Sequence, residues 1–176
     1  MSQETNGLFG TPRLVLRLLA PGDEDVLQRV FERAGDHFLP ITGRPEPAPD
    51  AAAQELRGCA ATEGRDVALV SLRETGEPVG ALGWWRGNPE PDVALLGMVV
   101  TVPEMRRQGI AREAVGALEG WLAERGVRRV RTAVQKADRR AGAMLPALGF
   151  ALMPIRDHQA LGAQALYLSL WQKALG

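Results

Sequence analysis

Residues 92–134 constrain the fold of this chain more than any other stretch, because they have the patterns of strand, helix and strand in immediate succession. DVALLGMVVTV (92–102) and VRRVRTAV (127–134) are typical of strands, and GIAREAVGALEGWLAERG (109–126) carries an apolar stripe at helical spacing. A connection of this length lets the two strands lie parallel through a right-handed crossover. The unit therefore predicts a sheet that is at least partly parallel and is covered by a helix.

The segments on either side predict more strands and helices, most of them joined too closely for crossovers. Short connections require antiparallel pairing, so the sheet should be mixed, with helices on both faces, in the α+β or α/β class. Asp23, Asp50 and Asp138 stand where helix N-caps are expected. Trp84 and Trp85 are adjacent on a predicted strand and should face opposite sides of the sheet. The predicted strands are 13–19, 67–74, 78–87 and two within FALMP and QALYLSLWQ; the predicted helices are 26–34, 50–64 and 138–149; and Pro-rich residues 36–50 are predicted to be a loop.

Length and composition limit the class of protein. The chain has 176 residues, 45% of them apolar, which suits one domain over 1–176 with a flexible segment at 1–10. Its formal net charge is zero, and no run of like charge provides the basic face that nucleic-acid binding needs. A single cysteine excludes an intrachain disulfide, and two distant histidines do not indicate a metal site. With no recognisable signal peptide or membrane-spanning run, we expect a soluble, cytoplasmic protein that binds neither nucleic acid nor membrane.

The turn between the strand and the helix of this unit is rich in arginine. It has the sequence Arg106-Arg107-Gln108-Gly109-Ile110-Ala111. A helix N-terminus has unpaired N–H groups and a partial positive charge, so it attracts phosphate, and small residues leave those groups accessible. Flanking arginines could clasp a pyrophosphate from its sides. The alternative is an ordinary solvated loop, and the turn by itself leaves both interpretations open.

A second motif lies downstream, in DRRAGAMLPALGF (138–150). It matches the form N-x-x-A-x-x-L-Y-x-x-x-G-F at Ala141, Gly149 and Phe150, and residues 106–111 match Arg or Gln, two residues, Gly, one residue, then Gly or Ala. Together the two motifs resemble the GCN5-related N-acetyltransferase (GNAT) superfamily. The order of predicted elements agrees with that family from residue 13 to the end. The resemblance implies a mostly antiparallel central sheet of about seven strands, in the α/β class, and acetyl-CoA as the donor.

The resemblance also implies roles for particular residues. In the family the strand before the first motif splays from its neighbour, its backbone binds the pantetheine arm, and one N–H is an oxyanion donor, here assigned to the backbone of Val100. The backbone N–H groups of the motif would hold the pyrophosphate. The residues implied to bind the cosubstrate are Val99, Val100, Thr101, Val102, Arg106, Arg107, Gln108, Gly109, Ile110, Ala111, Arg112 and Asp138.

The sequence departs from the family where acid and base are usually found. Leu145 stands where many members have a tyrosine, Ala133 stands where N-terminal acetyltransferases often have a glutamate, and strand 93–102 has no acidic residue. The remaining candidates for a catalytic side chain are His37, Asp92 and Asp138. Each also has an ordinary interpretation: in the same order, a bystander in a loop, a turn cap and a helix N-cap.

These expectations lead to one main hypothesis of function. It is an acetyl-CoA-dependent N-acetyltransferase that moves the acetyl group to a primary amine of a small molecule or peptide by direct transfer. The alternative is a non-catalytic acyl-CoA-binding sensor or partner module that has lost the usual acid and base. The resemblance and the aromatic last strand, ALYLSLW, also make a homodimer plausible.

Overall fold

A computed structural model describes residues 8–176, and the first seven residues lie outside the described part. The sequence predicts a flexible segment over 1–10, but Leu8–Gly10 form a strand of the sheet. That part of the prediction is wrong because Phe9 has a partner. Its ring stacks on Trp121 with 5.4 Å between the ring centroids.

The described residues contain eight strands in one sheet. The strands are β1 Leu8–Gly10, β2 Leu14–Leu18, β3 Arg65–Leu72, β4 Pro78–Arg86, β5 Val93–Thr101, β6 Arg129–Gln135, β7 Ala151–Leu152 and β8 Leu168–Ala174. Their spatial order is β1-β2-β3-β4-β5-β6-β8-β7. Neighbouring strands are antiparallel, apart from β5 and β6, which are parallel. The mixed, mostly antiparallel sheet is therefore confirmed, including the parallel pair of the unit 92–134.

Five α-helices lie within residues 8–176. They are α1 Glu24–Arg33, α2 Leu39–Thr42, α3 Ala51–Ala61, α4 Ile110–Ala123 and α5 Arg139–Ala147. Two predictions need correction. The predicted loop 36–50 contains a 3-10 turn and α2, whose first turn accommodates Pro40 because no N–H is needed there. The last strand begins at Leu168, later than predicted, because Ile155–Leu166 first form 3-10 turns.

The predicted N-caps differ in outcome. Asp138 caps α5, since its Oδ1 accepts the backbone N–H of Ala141 at 3.0 Å. Asp23 and Asp50 precede α1 and α3, but neither side chain caps its helix. The carboxylate of Asp23 is held by the guanidinium of Arg17, with both N···O distances at 3.1 Å. Its Oδ2 also accepts the N–H of Ala20 at 3.0 Å, so the carboxylate is used by groups that precede α1 and does not cap the helix.

Two adjacent tryptophans show that helices cover both faces of the sheet. Trp84 is 2% exposed and packs against Trp121 of α4, with 5.5 Å between the ring centroids. Trp85 is 38% exposed and donates its indole N–H to the carbonyl of Glu63, just past the end of α3. Adjacent residues of a strand point to opposite faces, so α4 covers one face and α3 the other. Helix α1 packs against α3 and therefore lies on the second face.

The apolar stripe of α4 fixes where this helix begins. Ile110, Ala114, Leu118 and Leu122 are each no more than 3% exposed. Burial of these side chains anchors the helix against the sheet through the hydrophobic effect. The turn that precedes Ile110 is therefore held at the carboxyl ends of β5 and β6.

Replacing Trp84 with alanine should lower the free energy of unfolding by about 3–5 kcal/mol, because a buried indole and its contacts are lost. Trp85→Ala should cost about 1 kcal/mol, because it removes a partly exposed ring and one hydrogen bond. Chemical denaturation of both variants beside the wild type measures these values. Equal losses in the two variants would contradict the assignment of the two faces.

Candidate active site

The parallel strands β5 and β6 separate soon after they meet. Their pairing extends over three residues and ends at Leu95↔Arg131. Beyond that point β5 stays with β4 as far as Thr101, while β6 stays with β8 as far as Gln135. Gly97 is the extra residue where the register of β5 against β4 shifts. The two strands therefore form a V that opens toward their carboxyl ends.

The hydroxyl of Thr132 closes the vertex of this V. Thr132 is 6% exposed and donates to the carbonyl of Leu96 at 2.8 Å. Leu96 is the first residue of β5 beyond the paired segment, so its carbonyl lacks a backbone partner in β6. The side chain of Thr132 supplies the missing hydrogen bond at this point, since buried carbonyls need one.

The V forms the central part of a cavity of about 740 Å³. Its walls come from both sides of the sheet. Phe38, which follows α1, packs on Phe31 of that helix at 5.1 Å, and this places the neighbouring residues on the face opposite α4. The cavity thus connects the turn before α4 with the other face. Its lining includes residues 96–101, 132–135, the start of α4, parts of α5, and His37, Pro40 and Ile41.

The register of β4 and β5 decides which backbone groups face the cavity. Val102 donates its N–H to the carbonyl of Val79 in β4 at 2.9 Å. Alternate residues of an antiparallel pair face the same neighbour, so Val100 also turns its N–H toward β4. Val99 and Thr101 turn theirs into the V. The prediction of Val100 as oxyanion donor is therefore wrong, because its N–H belongs to the β4 ladder.

The turn before α4 has a row of free backbone N–H groups. Among the hydrogen bonds of residues 8–176, none has an N–H of residues 107–112 as its donor. Arg107 and Gly109 have positive φ angles of 60° and 80°. Left-handed residues among right-handed ones turn successive N–H groups toward one point, which creates a concave anion site at the helix N-terminus.

The side chain of Arg106 is not available to a ligand at this turn. Its guanidinium donates to both carboxylate oxygens of Asp36, at 2.6 and 2.8 Å, and its Nε donates to the carbonyl of Thr101 at 3.0 Å. The interpretation of Arg106 as a side-on clasp for pyrophosphate is therefore wrong. The residue ties the turn to the segment after α1, and the exposed Arg107 and Arg112 are the cations beside the free N–H groups.

Arg13 holds the start of α4 from a distant part of the chain. It donates through Nε to Glu113 at 2.6 Å and through Nη2 to the carbonyl of Gln108 at 3.2 Å. Thr11 donates to the other carboxylate oxygen of Glu113. These bonds fix the carbonyl side of the turn against the protein and leave its N–H side open. The sequence analysis missed Arg13, because its partners lie 95 and 100 residues further along the chain.

The three candidates for a catalytic side chain have different locations. His37 and Asp138 line the cavity, and Asp92 does not. Asp92 lies beside the other end of β5, where Arg129 pairs with its carboxylate at 2.9 Å and lowers its pKa. The candidacy of Asp92 is therefore wrong. Asp138 lines the cavity, but its Oδ1 is used as the cap of α5.

His37 is the second candidate that lines the cavity. Burial lowers its pKa from the usual 6.5, and the nearby guanidinium of Arg140 lowers the pKa further, against smaller opposite effects of Asp138 and Asp36. Its ring packs edge-on against Phe38 at 5.3 Å. A lowered pKa makes the imidazole neutral at pH 7, the form that accepts a proton.

The predicted departures from the usual acid and base hold in three dimensions. Leu145 and Ala133 both line the cavity. Among the described residues of the lining there is no tyrosine, cysteine or glutamate. The ionisable side chains of the described lining are those of His37, Asp138 and the four arginines Arg106, Arg107, Arg112 and Arg140.

A parallel pair of strands that separates beside a row of free N–H groups is suited to a phosphate-bearing ligand with an extended arm. The chain belongs to the acetyltransferase (GNAT) family, whose profile matches residues 29–150. None of the curated proteins matches the chain in sequence. Within residues 8–176, no helix is long and apolar enough to cross a membrane, and no group of three or more His, Cys, Asp or Glu side chains could hold a metal ion.

Solved structures of acetyltransferases share this fold. An acetyltransferase from Thermus thermophilus is 27% identical, with a TM-score of 0.76 over 94% of this chain and 99% of that one. A probable acetyltransferase of the GNAT family from Chromobacterium violaceum is 20% identical, with a TM-score of 0.77 over 98% and 88%. Spermidine N-acetyltransferase from Vibrio cholerae, in complex with CoA and spermine, is 12% identical, with a TM-score of 0.69 over 94% and 97%.

Replacing Gly109 with glutamine should raise the dissociation constant of acetyl-CoA roughly tenfold or more, which is about 1.4 kcal/mol. A side chain there would cover the free N–H groups, and the positive φ of 80° would cost about 1–2 kcal/mol of stability, so the fold survives with a lower Tm. Calorimetry measures the affinity. Gly120→Gln is the matched control, because a Cβ at this α4 position meets nothing within 4 Å. Unchanged affinity in a folded Gly109 variant would mean that the turn is only a loop.

Replacing Asp36 with asparagine should lower the free energy of unfolding by roughly 1 kcal/mol at pH 7, a small value because the side chain is 42% exposed. Hydrogen bonds from Arg106 and then Arg140 hold the pKa of Asp36 well below its ordinary 3.8. A lowered pKa stabilises the fold above that ordinary value and loses its effect as the pH falls further. The difference from wild type should therefore shrink below pH 3.8. Denaturation at several pH values checks this, and a difference independent of pH would contradict it.

Proposed function

We propose that this protein transfers an acetyl group from acetyl-CoA directly to a primary amine of a small molecule or peptide. The observation that carries the proposal is the continuous cavity, which joins the free N–H groups of residues 107–112 to the opposite face of the sheet. A thioester that enters from one end and an amine that enters from the other would meet between β5 and β6. Membership of the GNAT family supports the transfer of an acetyl group.

The residues present fit each part of acetyl-CoA. The N–H groups of 107–112, with Arg107 and Arg112 beside them, suit the pyrophosphate. The peptide groups of Val99 and Thr101 that face the V suit the amides of the pantetheine arm, which would lie along β5 as an added strand does. The bound cosubstrate supplies an activated acetyl thioester. No cysteine or serine is among the described lining residues, which supports direct transfer.

Val99 and His37 would act on the reacting atoms. The backbone N–H of Val99 donates to the thioester oxygen as negative charge develops there. As the bond between the amine nitrogen and the carbonyl carbon forms, the neutral imidazole of His37 accepts the proton that the nitrogen loses, directly or through one water. The carbon–sulfur bond breaks, and the thiolate leaves to be protonated by solvent. A thiol pKa of about 8.5 lets it leave without an acid, which is consistent with Leu145 at this site.

One protein with a similar structure supports the proposal that the acceptor is an amine, through the shared fold alone. The Vibrio cholerae spermidine N-acetyltransferase was solved with CoA and spermine together. At 12% identity it shares the fold alone, so it supports an opening for two ligands without specifying the acceptor.

Calorimetry and a thiol-release assay test the proposal. We expect acetyl-CoA to bind, and we expect at least one amine from a panel of amino acids, polyamines, aminoglycosides and peptides to release free thiol faster than hydrolysis does. Tight binding with no turnover on any amine would indicate the non-catalytic module. Absence of acetyl-CoA binding would contradict both functions.

His37→Gln should reduce kcat/KM roughly 100-fold at neutral pH, the usual effect of losing a general base. In the wild type, log kcat/KM should rise more steeply with pH below the lowered pKa of His37, because both the imidazole and the amine must lose a proton. The variant should keep only the slope due to the amine. Its affinity for acetyl-CoA and the activity of the control Asp92→Asn should match the wild type. Identical pH profiles in variant and wild type would show that His37 is not the base.

A further inference from the structure

The charged residues around the cavity are mostly positive. Four arginines line it: Arg106, Arg107, Arg112 and Arg140. Among the described lining residues, Asp138 is the single acidic one, and its Oδ1 accepts a backbone N–H as the cap of α5. Two of the arginines lie beside the turn that suits a pyrophosphate, and two lie nearer the segment after α1. The four guanidinium groups still outnumber the carboxylates of Asp138 and Asp36, so the surroundings of the cavity carry an excess of positive charge.

Asp36 neutralises only part of this positive charge. Both of its oxygens accept hydrogen bonds from Arg106, and Oδ2 also accepts one N–H of Arg140 at 2.9 Å. One carboxylate thus faces two guanidinium groups. A guanidinium carries five N–H donors, so Arg140 retains donors that no described residue engages. Its side chain is 55% exposed, which leaves these donors accessible from the cavity.

Part of the cavity wall is apolar. Pro40 and Ile41 line the cavity from the segment after α1, and Met98 and Met144 line it from β5 and α5. Methionine side chains are flexible and adapt to apolar ligands of different shapes. A protonated second amine that lay against these apolar side chains would lose water without gaining a charged partner from them, which is costly. An aliphatic or aromatic body would instead bury apolar surface.

We infer that the acceptor is a primary amine on an apolar skeleton that also carries a carboxylate, which Arg140 binds, and that it is not a polyamine. The inference rests on the proposed function and deepens it by naming the substrate class. A carboxylate would accept charge-assisted hydrogen bonds from the spare donors of Arg140. A second ammonium group would face a like charge at the same position, which opposes binding.

Four amines of matched length test the inference. ε-Aminocaproate, its carboxamide, hexylamine and hexamethylenediamine share one carbon chain and have similar amine basicity, and they differ in the far end. Two quantities are measured for each: kcat/KM for acetylation, and affinity for the CoA-loaded protein by calorimetry. We expect ε-aminocaproate to exceed its carboxamide by roughly tenfold, the effect of a contact of about 1.4 kcal/mol. Hexamethylenediamine should be the weakest of the four.

Two variants of α5 separate a specific contact from general attraction by charge. Arg140→Gln should bring the carboxylate and the carboxamide to within about twofold of each other, while the affinity for acetyl-CoA stays that of the wild type. Arg139→Gln is the matched control, since this exposed arginine on the same turn does not line the cavity. It should keep the full preference for the carboxylate. Equal loss of the preference in both variants would overturn the role of Arg140.

The remaining outcomes separate this inference from the proposed function. If ε-aminocaproate binds best but no amine is acetylated, the proposed function fails and the inference about ligand class stands. If hexamethylenediamine equals or exceeds ε-aminocaproate in binding or turnover, the inference fails even though acetylation is shown. If none of the four binds the CoA-loaded protein, the inference also fails.

Discussion

The parting of β5 from β6 is the constraint on which the rest of the site depends. A buried peptide group that loses its ladder partner costs about 1–3 kcal/mol unless another group replaces the bond. The chain replaces two of these bonds, and both replacements serve carbonyls: Thr132 donates to Leu96, and the Nε of Arg106 donates to Thr101. The N–H groups that face the opening receive no such replacement. The V therefore has an excess of donors, which suits the carbonyl, amide and phosphate oxygens of a ligand.

The charges around the opening follow from the same need to hold its two sides together. Asp36 lies between Arg106 at the turn and Arg140 on α5, so one carboxylate connects the segment after α1 with both. Two cations for one anion leave a local positive charge, although the whole chain has a formal net charge of zero. Burial lowers the pKa of His37, and the guanidinium of Arg140 lowers it further, against smaller opposite effects of Asp138 and Asp36. One network thus fixes the geometry of the cavity and also sets its electrostatics.

The sequence predicts the parts of this arrangement that depend on local patterns. It does not predict the parts that depend on pairing between residues far apart in the chain. The unit 92–134, the opposite faces of Trp84 and Trp85, and the turn at 106–111 follow from periodicity and residue type. The sequence does not predict which residues of β5 turn their N–H groups into the V, because the pairing of Val102 with Val79 in β4 decides this. The partners of Asp36 are 70 and 104 residues away, so nothing in the local sequence indicates that they use its carboxylate.

The missing acid and the positive surroundings are parts of one electrostatic arrangement. Holding an amine against a thioester can supply about 7–11 kcal/mol of the barrier through proximity, provided that the amine arrives neutral. In the proposed reaction, the guanidinium of Arg140 would favour neutral amine over ammonium and neutral imidazole over imidazolium, which are the two reactive forms. The arginines of the lining would also stabilise the thiolate that leaves, which would reduce the need for a tyrosine where Leu145 stands. The same positive charge would also weaken the imidazole as a base, and an acceptor that brings its own carboxylate would partly restore that basicity.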